Sequence, residues 1–220
     1  MTPPPAIETH PDDGTGAARP VLVWRFPTPL RCVSSGVLGG GLGACAWVLN
    51  AEVHEQYHLD PAPHLARTAA ALGLRGPGTG LLTAAAVRAF TTGEDGGATC
   101  VATVGLTVPT WAAAPDGAAP TRPGTINLVC RVPAPLDDAA LVNAVVTVTE
   151  AKAQALGEAG VPGTGTASDA VVVLADPGGG EPYGGPRSRW GARLARAVHA
   201  AVLAGASRAS AKPLSGNDVA

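Results

Sequence analysis

The chain is poor in aromatic residues, in charged residues and in methionine. Phe, Trp and Tyr together make up 4 % of its 220 residues, charged residues make up 15 %, and there is one methionine. Hydrophobic residues nevertheless reach 46 %. We therefore expect a substantial core that is packed mainly by Ala, Val and Leu, in one large domain.

Several sequence features are absent, and each absence counts against a class of function. No apolar run approaches the roughly 20 residues of a transmembrane helix, so no membrane partner is expected. The net charge of -2 provides no basic field for phosphates, so no nucleic-acid partner is expected. Neither the P-loop pattern G-x-x-x-x-G-K-[ST] nor the nucleophile elbow G-x-S-x-G occurs.

The two ends of the chain differ in composition from its middle. Residues 1–20 and 207–220 are rich in Pro, Gly, Ser, Thr and Asp, so both are predicted to be disordered. The intervening residues 21–206 contain no linker and are predicted to form a single domain. The start of the chain lacks the basic and apolar regions of a signal peptide, and a cytoplasmic protein is expected.

The cysteines do not form a metal-binding or redox motif. None of Cys32, Cys45, Cys100 and Cys130 belongs to a C-x-x-C pair, and each has apolar neighbours. We expect reduced, buried thiols that act as small hydrophobic residues. No zinc site is indicated.

Hydrophobic periodicity predicts strands separated by a few helices. The strongest helix pattern covers residues 136–160, with Asp137 or Asp138 as cap and Gly157 or Gly160 as stop. Residues 44–54 alternate as a half-buried strand would. The expected fold class is α/β or α+β, with a mixed β-sheet core packed by helices in one layered domain.

Polar side chains form a stripe along the predicted long helix. Asn143, Thr147, Glu150 and Gln154 are spaced by four, three and four residues, so they share one face. The stripe either faces water, as in an ordinary amphipathic helix, or forms part of a site. Lys152 lies on the opposite side and is expected to reach towards the helix end.

The segment GTGTASD, residues 163–169, concentrates hydrogen-bonding groups directly before an apolar strand. Its glycines allow close approach to a ligand, and its hydroxyls and Asp169 can orient one. An ordinary loop with an Asx or Ser/Thr turn is the alternative.

Two further patterns are weak. Gly41-Leu-Gly43-x-x-Ala46 resembles a dinucleotide fingerprint, but the following segment alternates like a strand where that fingerprint needs a helix. His54, His58 and His64, with Glu55 and Asp60, suggest a metal site. Histidines of a surface loop are the alternative, because Pro61 and Pro63 interrupt any helix there.

An ordered set of segments is similar to the adenosylcobinamide amidohydrolase family. The resemblance covers roughly residues 30–205. It is carried by SSGVLGGGLG, WVLNAEV, GLLTAAAV, VGLTVPTWAA, PGTINLV, ALVNAVVTVTEAKAQAL, TGTASDAVVV and YGGPRSRWGARLARAVHAAV.

The resemblance implies an enzyme of corrinoid salvage. The family hydrolyses the amide that joins aminopropanol to a propionate of the corrin ring in adenosylcobinamide, and adenosylcobyric acid is the product. A corrinoid is the implied partner, and the cobalt belongs to this substrate. No cofactor and no protein-bound metal are expected, and a homo-oligomer is compatible with the sequence.

Within the family-like motifs, the residue types suggest roles in amide hydrolysis. We expect water to attack with Glu150 as general base and Asp169 as orienting or acid group. Amide and hydroxyl side chains are expected to bind substrate, and one hydroxyl is a candidate nucleophile: Asn50, Thr83, Thr125, Asn127, Asn143, Thr166 and Ser168. Two other functions stay open, a corrinoid-binding protein without catalysis and a nucleotide-dependent enzyme that uses the Gly-rich loop 36–43.

Overall fold

The computed structural model describes residues 4–10, 17–115 and 124–210. In these residues one eight-stranded mixed sheet is packed by three α-helices, which confirms the predicted α/β layered architecture. The strands are β1 (Ala6–His10), β2 (Arg19–Ser34), β3 (Gly41–Glu52), β4 (Gly78–Thr83), β5 (Thr91–Asp95), β6 (Ala98–Gly105), β7 (Thr125–Val132) and β8 (Ala170–Ala175). The helices are α1 (Pro61–Ala71), α2 (Asp138–Glu158) and α3 (Arg189–Ser210).

The strands follow the order β4-β3-β2-β8-β7-β6-β5, and β1 pairs with β2 outside this path. The β3–β4 and β7–β8 pairs are parallel, and the remaining pairs are antiparallel. The long strand β2 holds the sheet together, because β3 lies along one edge while β1 and β8 share the other. Its pairing with β3 is irregular between Arg25 and Leu30, within the segment that contains Pro27 and Pro29.

The helices cover one face of the sheet. Helices α2 and α3 pack on β6, β7 and β8 through Ile126, Leu128 and Val173, among others. Helix α1 packs on β2 and β3 around Leu49. Because successive residues of a strand point to opposite faces, Val48, Val129, Val172 and their neighbours form a second core on the other face.

This second face is strongly curved. The Nδ2 of Asn127 on β7 donates to the Oδ1 of Asn50 on β3 at 2.9 Å. The strands β2 and β8 lie between these two strands, so a flat sheet would separate β3 and β7 by about 14 Å. The direct hydrogen bond therefore requires the sheet to curl around its second core.

Two terminal predictions need correction. Residues 6–10 were expected to be disordered, but they form β1, which pairs with residues 19–23 of β2. Its His10 is fully buried, and the ring Nε2 lies 2.8 Å from the carbonyl oxygen of Glu52. The edge of β2 stabilises β1, and the composition of residues 1–20 gives no sign of this distant partner. At the other end α3 extends to Ser210, and residues 211–220 lie outside the described residues.

The four cysteines are buried free thiols, as predicted. Cys100 and Cys130 face each other across β6 and β7. The hydrogen bond that the Cys130 thiol shares with Cys100 and burial both raise the pKa of Cys130, so its thiol stays protonated. Within the described part of the chain, the structure has no helix with the length and apolarity needed to cross a membrane.

Candidate active site

A cavity of about 390 Å³ lies where several strands begin or end. Thr83 is the last residue of β4 and Thr125 is the first residue of β7. Asp169 directly precedes β8, and residues 53–57 follow β3. Five of the eight family-like segments contribute residues to this cavity, although they are far apart in the chain. The lining groups that matter here are Ser35, His54, Glu55, Tyr57, Thr83, Thr125, Ser168 and Asp169.

Asp169 connects β7, α2 and its own loop through hydrogen bonds. Its Oδ1 accepts from the backbone N–H of Ile126 at 2.9 Å and from the Thr166 hydroxyl. Its Oδ2 accepts from the backbone N–H of Thr166 at 3.1 Å and from the Lys152 ammonium. These four donors fill the acceptor sites of the carboxylate. Asp169 is thus suited to hold its own loop against β7 and α2 at the wall of the cavity. Because all four acceptor sites are occupied, no lone pair of the carboxylate is free to accept a proton from substrate or water.

Lys152 is the main residue that the sequence analysis did not assign to the site. Its side chain is 9 % exposed and that of Asp169 is 12 % exposed, so the ion pair is almost buried. A Cβ at Gly165 would overlap both charged groups, which explains a glycine at this position. The helix geometry correctly separated Lys152 from Glu150, but no local pattern revealed its partner 17 residues away.

Hydroxyl groups of Thr125, Thr166 and Ser168 tie this loop to β7. The Thr125 and Ser168 hydroxyl oxygens are 2.9 Å apart and share a hydrogen bond. Ser168 and Thr166 both donate to the carbonyl of Gly124, at 3.0 and 2.7 Å. Thr125 and Ser168 line the cavity, whereas Thr166 is not among the lining residues.

Asn50 and Asn127 lie beneath the cavity and have internal partners. Asn127 Nδ2 donates to Asn50 Oδ1 at 2.9 Å and to the carbonyl of Leu82 at 2.8 Å. Asn50 Nδ2 donates to the Thr103 hydroxyl at 3.0 Å. Both asparagines are 1 % exposed. Their amides therefore connect β3, β4, β6 and β7 across the curved face, and neither side chain is among the residues that line the cavity.

The two expected catalytic carboxylates do not meet. Glu150 is exposed and lines a separate groove of about 220 Å³ between α2 and α3, together with His199. On an α-helix, Glu150 and Lys152 are about 200° apart. Because Lys152 points to Asp169, Glu150 points away from it. The expectation that Glu150 and Asp169 act on one bond is wrong. Asn143 is likewise exposed on α2.

We predict that Glu150→Gln leaves the amide hydrolysis that the resemblance implies within about twofold of the wild type, because its carboxylate does not reach the cavity. Steady-state kinetics with adenosylcobinamide measure this effect. A decrease in kcat of tenfold or more, with an unchanged melting temperature, would show that Glu150 takes part in the reaction.

The three histidines considered as metal ligands have separate partners. His54 Nδ1 accepts from the backbone N–H of Gln56 at 3.1 Å, and His58 Nδ1 lies 3.4 Å from the carbonyl of Gln56. His64 Nδ1 is 2.9 Å from the Tyr57 hydroxyl. Burial raises the pKa of Tyr57, as does the charge of Asp60, while Arg67 opposes this shift. In the ranges that the structure describes, no three His, Cys, Asp or Glu residues converge as a metal site would require.

The Gly-rich loop leads into a strand. Gly41 is the first residue of β3, so no helix N-terminus follows the loop to bind a pyrophosphate. Ser35, Gly36 and Val37 line the cavity instead. A Cβ at Gly36 would lie 2.7 Å from the Thr79 hydroxyl and 2.8 Å from the Gly80 carbonyl, so the loop packs tightly over β4.

Comparison with known proteins agrees with the position of these motifs. The sequence profile of the adenosylcobinamide amidohydrolase family matches residues 5–213. The chain belongs to this family. The resemblance noted from the sequence is thereby confirmed, and five of the eight segments that carry it line the cavity.

Three individual proteins are similar to the chain, and two of them carry the name of the family. A Methanosarcina mazei protein named adenosylcobinamide amidohydrolase is 31 % identical over 187 residues, which cover 80 % of this chain and 89 % of that protein. A Halobacterium salinarum protein of the same name is 50 % identical over 94 residues, 41 % of this chain and 40 % of its own length. An uncharacterised Methanocaldococcus jannaschii protein is 34 % identical over 88 residues, 34 % of its length.

Proposed function

We propose that this protein hydrolyses the amide bond between aminopropanol and a propionate side chain of the corrin ring in adenosylcobinamide. The products are adenosylcobyric acid and aminopropanol. The observation that carries the proposal is the convergence of five family-like segments on one cavity, in a chain that matches the amidohydrolase family over residues 5–213.

The size of the cavity fits one arm of the substrate. A volume of about 390 Å³ is near the lower end of small-molecule sites, and a whole corrinoid is far larger. The aminopropanol side chain therefore enters the cavity while the macrocycle covers its mouth. Exposed Val37 lines the cavity on the Gly-rich loop and offers apolar contact to the ring.

Asp169 and Lys152 act as positioning residues in this proposal. Their ion pair fastens the loop 163–169 to α2, while the backbone N–H of Ile126 fastens Asp169 to β7. Together these contacts hold Ser168 at the cavity wall. The reaction needs water, a base and an oxyanion donor, so we propose no resident cofactor or metal. We also place the protein in the cytoplasm, where its four free thiols remain reduced.

The direct experiment mixes the purified protein with adenosylcobinamide and follows aminopropanol by derivatisation and mass spectrometry. We expect stoichiometric release of aminopropanol with formation of adenosylcobyric acid. Binding of the corrinoid without release would instead support the alternative of a non-catalytic corrinoid-binding protein. The absence of both binding and release would reject either function.

A further inference from the structure

Most polar groups that line the cavity are already used by the protein itself. Asp169 accepts four hydrogen bonds, and the Tyr57 hydroxyl is bonded to His64. The lining serine and threonine hydroxyls bond to one another or to the backbone: Thr125 with Ser168, Ser168 to Gly124, Ser35 from Val171, and Thr83 from Ala85. In the described residues, none of these serine and threonine hydroxyls bonds to a histidine or a carboxylate that would activate it as a nucleophile.

Two residues that are adjacent in the chain, His54 and Glu55, each have a polar group without a hydrogen-bond partner in the described residues. Glu55 is exposed at the cavity, and its carboxylate has no partner among the residues that the structure describes. His54 is half-buried beside it, and its Nδ1 accepts the backbone N–H of Gln56 at 3.1 Å. The proton of the neutral imidazole therefore lies on Nε2. This N–H group likewise has no partner in the described part of the chain.

We propose that Glu55 is the general base that activates the hydrolytic water, and that His54 Nε2–H donates to the oxygen of the scissile carbonyl. This assignment rests on the proposed amidohydrolase function. A carboxylate without a partner can accept a proton, and a ring fixed as an Nε2–H donor can stabilise an oxyanion. Both residues directly follow the family-like segment that ends at Val53.

The proposed step balances with water as the only co-reactant. The water oxygen attacks the amide carbon, one water proton moves to Glu55, and the carbonyl π pair becomes an oxyanion held by His54. The carbonyl then re-forms and the C–N bond breaks. Its electron pair remains on nitrogen, which takes the proton from Glu55 and leaves as the amine.

The exposure of Glu55 is consistent with this role. A macrocycle that covers the mouth of the cavity would remove bulk water from Glu55 and His54. Electrostatic interactions strengthen in such an environment. The catalytic pair would thus be completed only when substrate is bound.

Substitution of Glu55 separates catalysis from binding. We expect Glu55→Gln to lower kcat by about 100- to 10,000-fold, with Kd for the corrinoid changed less than about threefold. Glu55→Asp should retain more activity than Glu55→Gln, because it keeps the carboxylate. Glu150→Gln is the matched control on α2. Corrinoid binding is followed by visible absorbance, and melting temperatures confirm folding.

Two substitutions of His54 test the donor role. His54→Ala removes the N–H group and should lower kcat by about 100- to 1,000-fold. His54→Gln supplies an amide N–H and should recover at least tenfold of that loss, which it could not do if His54 were a base. His58→Ala, a change in the same loop, is expected to leave kcat within twofold.

The outcomes distinguish this inference from the function on which it rests. If the wild type releases no aminopropanol, the proposed amidohydrolase function and the roles of Glu55 and His54 are all rejected. If the wild type is active but folded Glu55→Gln turns over within about threefold of it, Glu55 is not the base and the amidohydrolase function stands. If His54→Gln is as slow as His54→Ala, the donor role is wrong.

Discussion

Replacement of Asp169 by alanine is expected to destabilise the fold by about 3–5 kcal/mol, because the Lys152 ammonium would remain buried without its counter-charge. For a chain of this size, such a loss lowers the melting temperature by about 6–20 °C. Three other donors, from Ile126 and Thr166, also lose their acceptor. Release of aminopropanol should fall as well, since the loop that carries Ser168 loses the hydrogen bond from Ile126 to Asp169 and is then tied to β7 only by its hydroxyl groups.

Calorimetry or circular dichroism measures the first effect, and the aminopropanol assay measures the second. Asp95→Ala is the matched control, because the ion pair of Asp95 with Arg196 is on the surface and should change stability little. In the double variant Lys152→Met/Asp169→Asn the buried charge is also removed, so stability should be partly restored. A melting temperature of Asp169→Ala within about 2 °C of wild type would contradict the role of the ion pair.

Replacement of Asn127 by alanine is expected to destabilise the protein by about 2–4 kcal/mol. Asn50 Oδ1 and the Leu82 carbonyl both accept from Asn127 Nδ2, and each acceptor left without a donor costs about 1–3 kcal/mol where it is buried. These bonds join the two halves of the curved face, so the cavity above them should also lose its shape. KM for the corrinoid should therefore rise as well.

Denaturant unfolding of Asn127→Ala and of Asn143→Ala provides a matched comparison. Asn143 is an exposed asparagine on α2, and its substitution should change the free energy of unfolding by less than about 0.5 kcal/mol. If the two variants were equally stable, the amide network across the curved face would not be a stabilising element.

The long elements could be predicted because their signals are local. Helix α2 was expected from its apolar spacing and its flanking Asp and Gly residues, and it covers Asp138–Glu158. Asp137 or Asp138 was expected as the cap, and Asp137 does occupy the N-cap position, but its side chain accepts the backbone N–H of Gly180 at 2.7 Å in place of a helix N–H. Short strands were missed, among them β4, whose sequence GTGLLT carries little strand signal. Its neighbours in the sheet stabilise it.

Burial was harder to predict than secondary structure. The alternation in β3 predicted a strand with one solvent-exposed face. In the structure, however, four consecutive residues are buried: Trp47, Val48, Leu49 and Asn50. Helix α1 covers one face, and the curl of the sheet closes the other. The same curl brings Asn50 and Asn127 into direct hydrogen-bond contact, which the sequence did not predict.

The sequence by itself determined the family, the mixed α/β architecture and the presence of Thr125, Ser168 and Asp169 in motifs that bear on the site. Only the tertiary structure decided that Lys152 neutralises Asp169, that Glu150 faces another groove, and that His54 and Glu55 share the cavity. Periodicity and turn composition depend on residues a few positions apart. Which charged or polar groups meet depends on strand order and sheet curvature, and these join residues that are tens of positions apart.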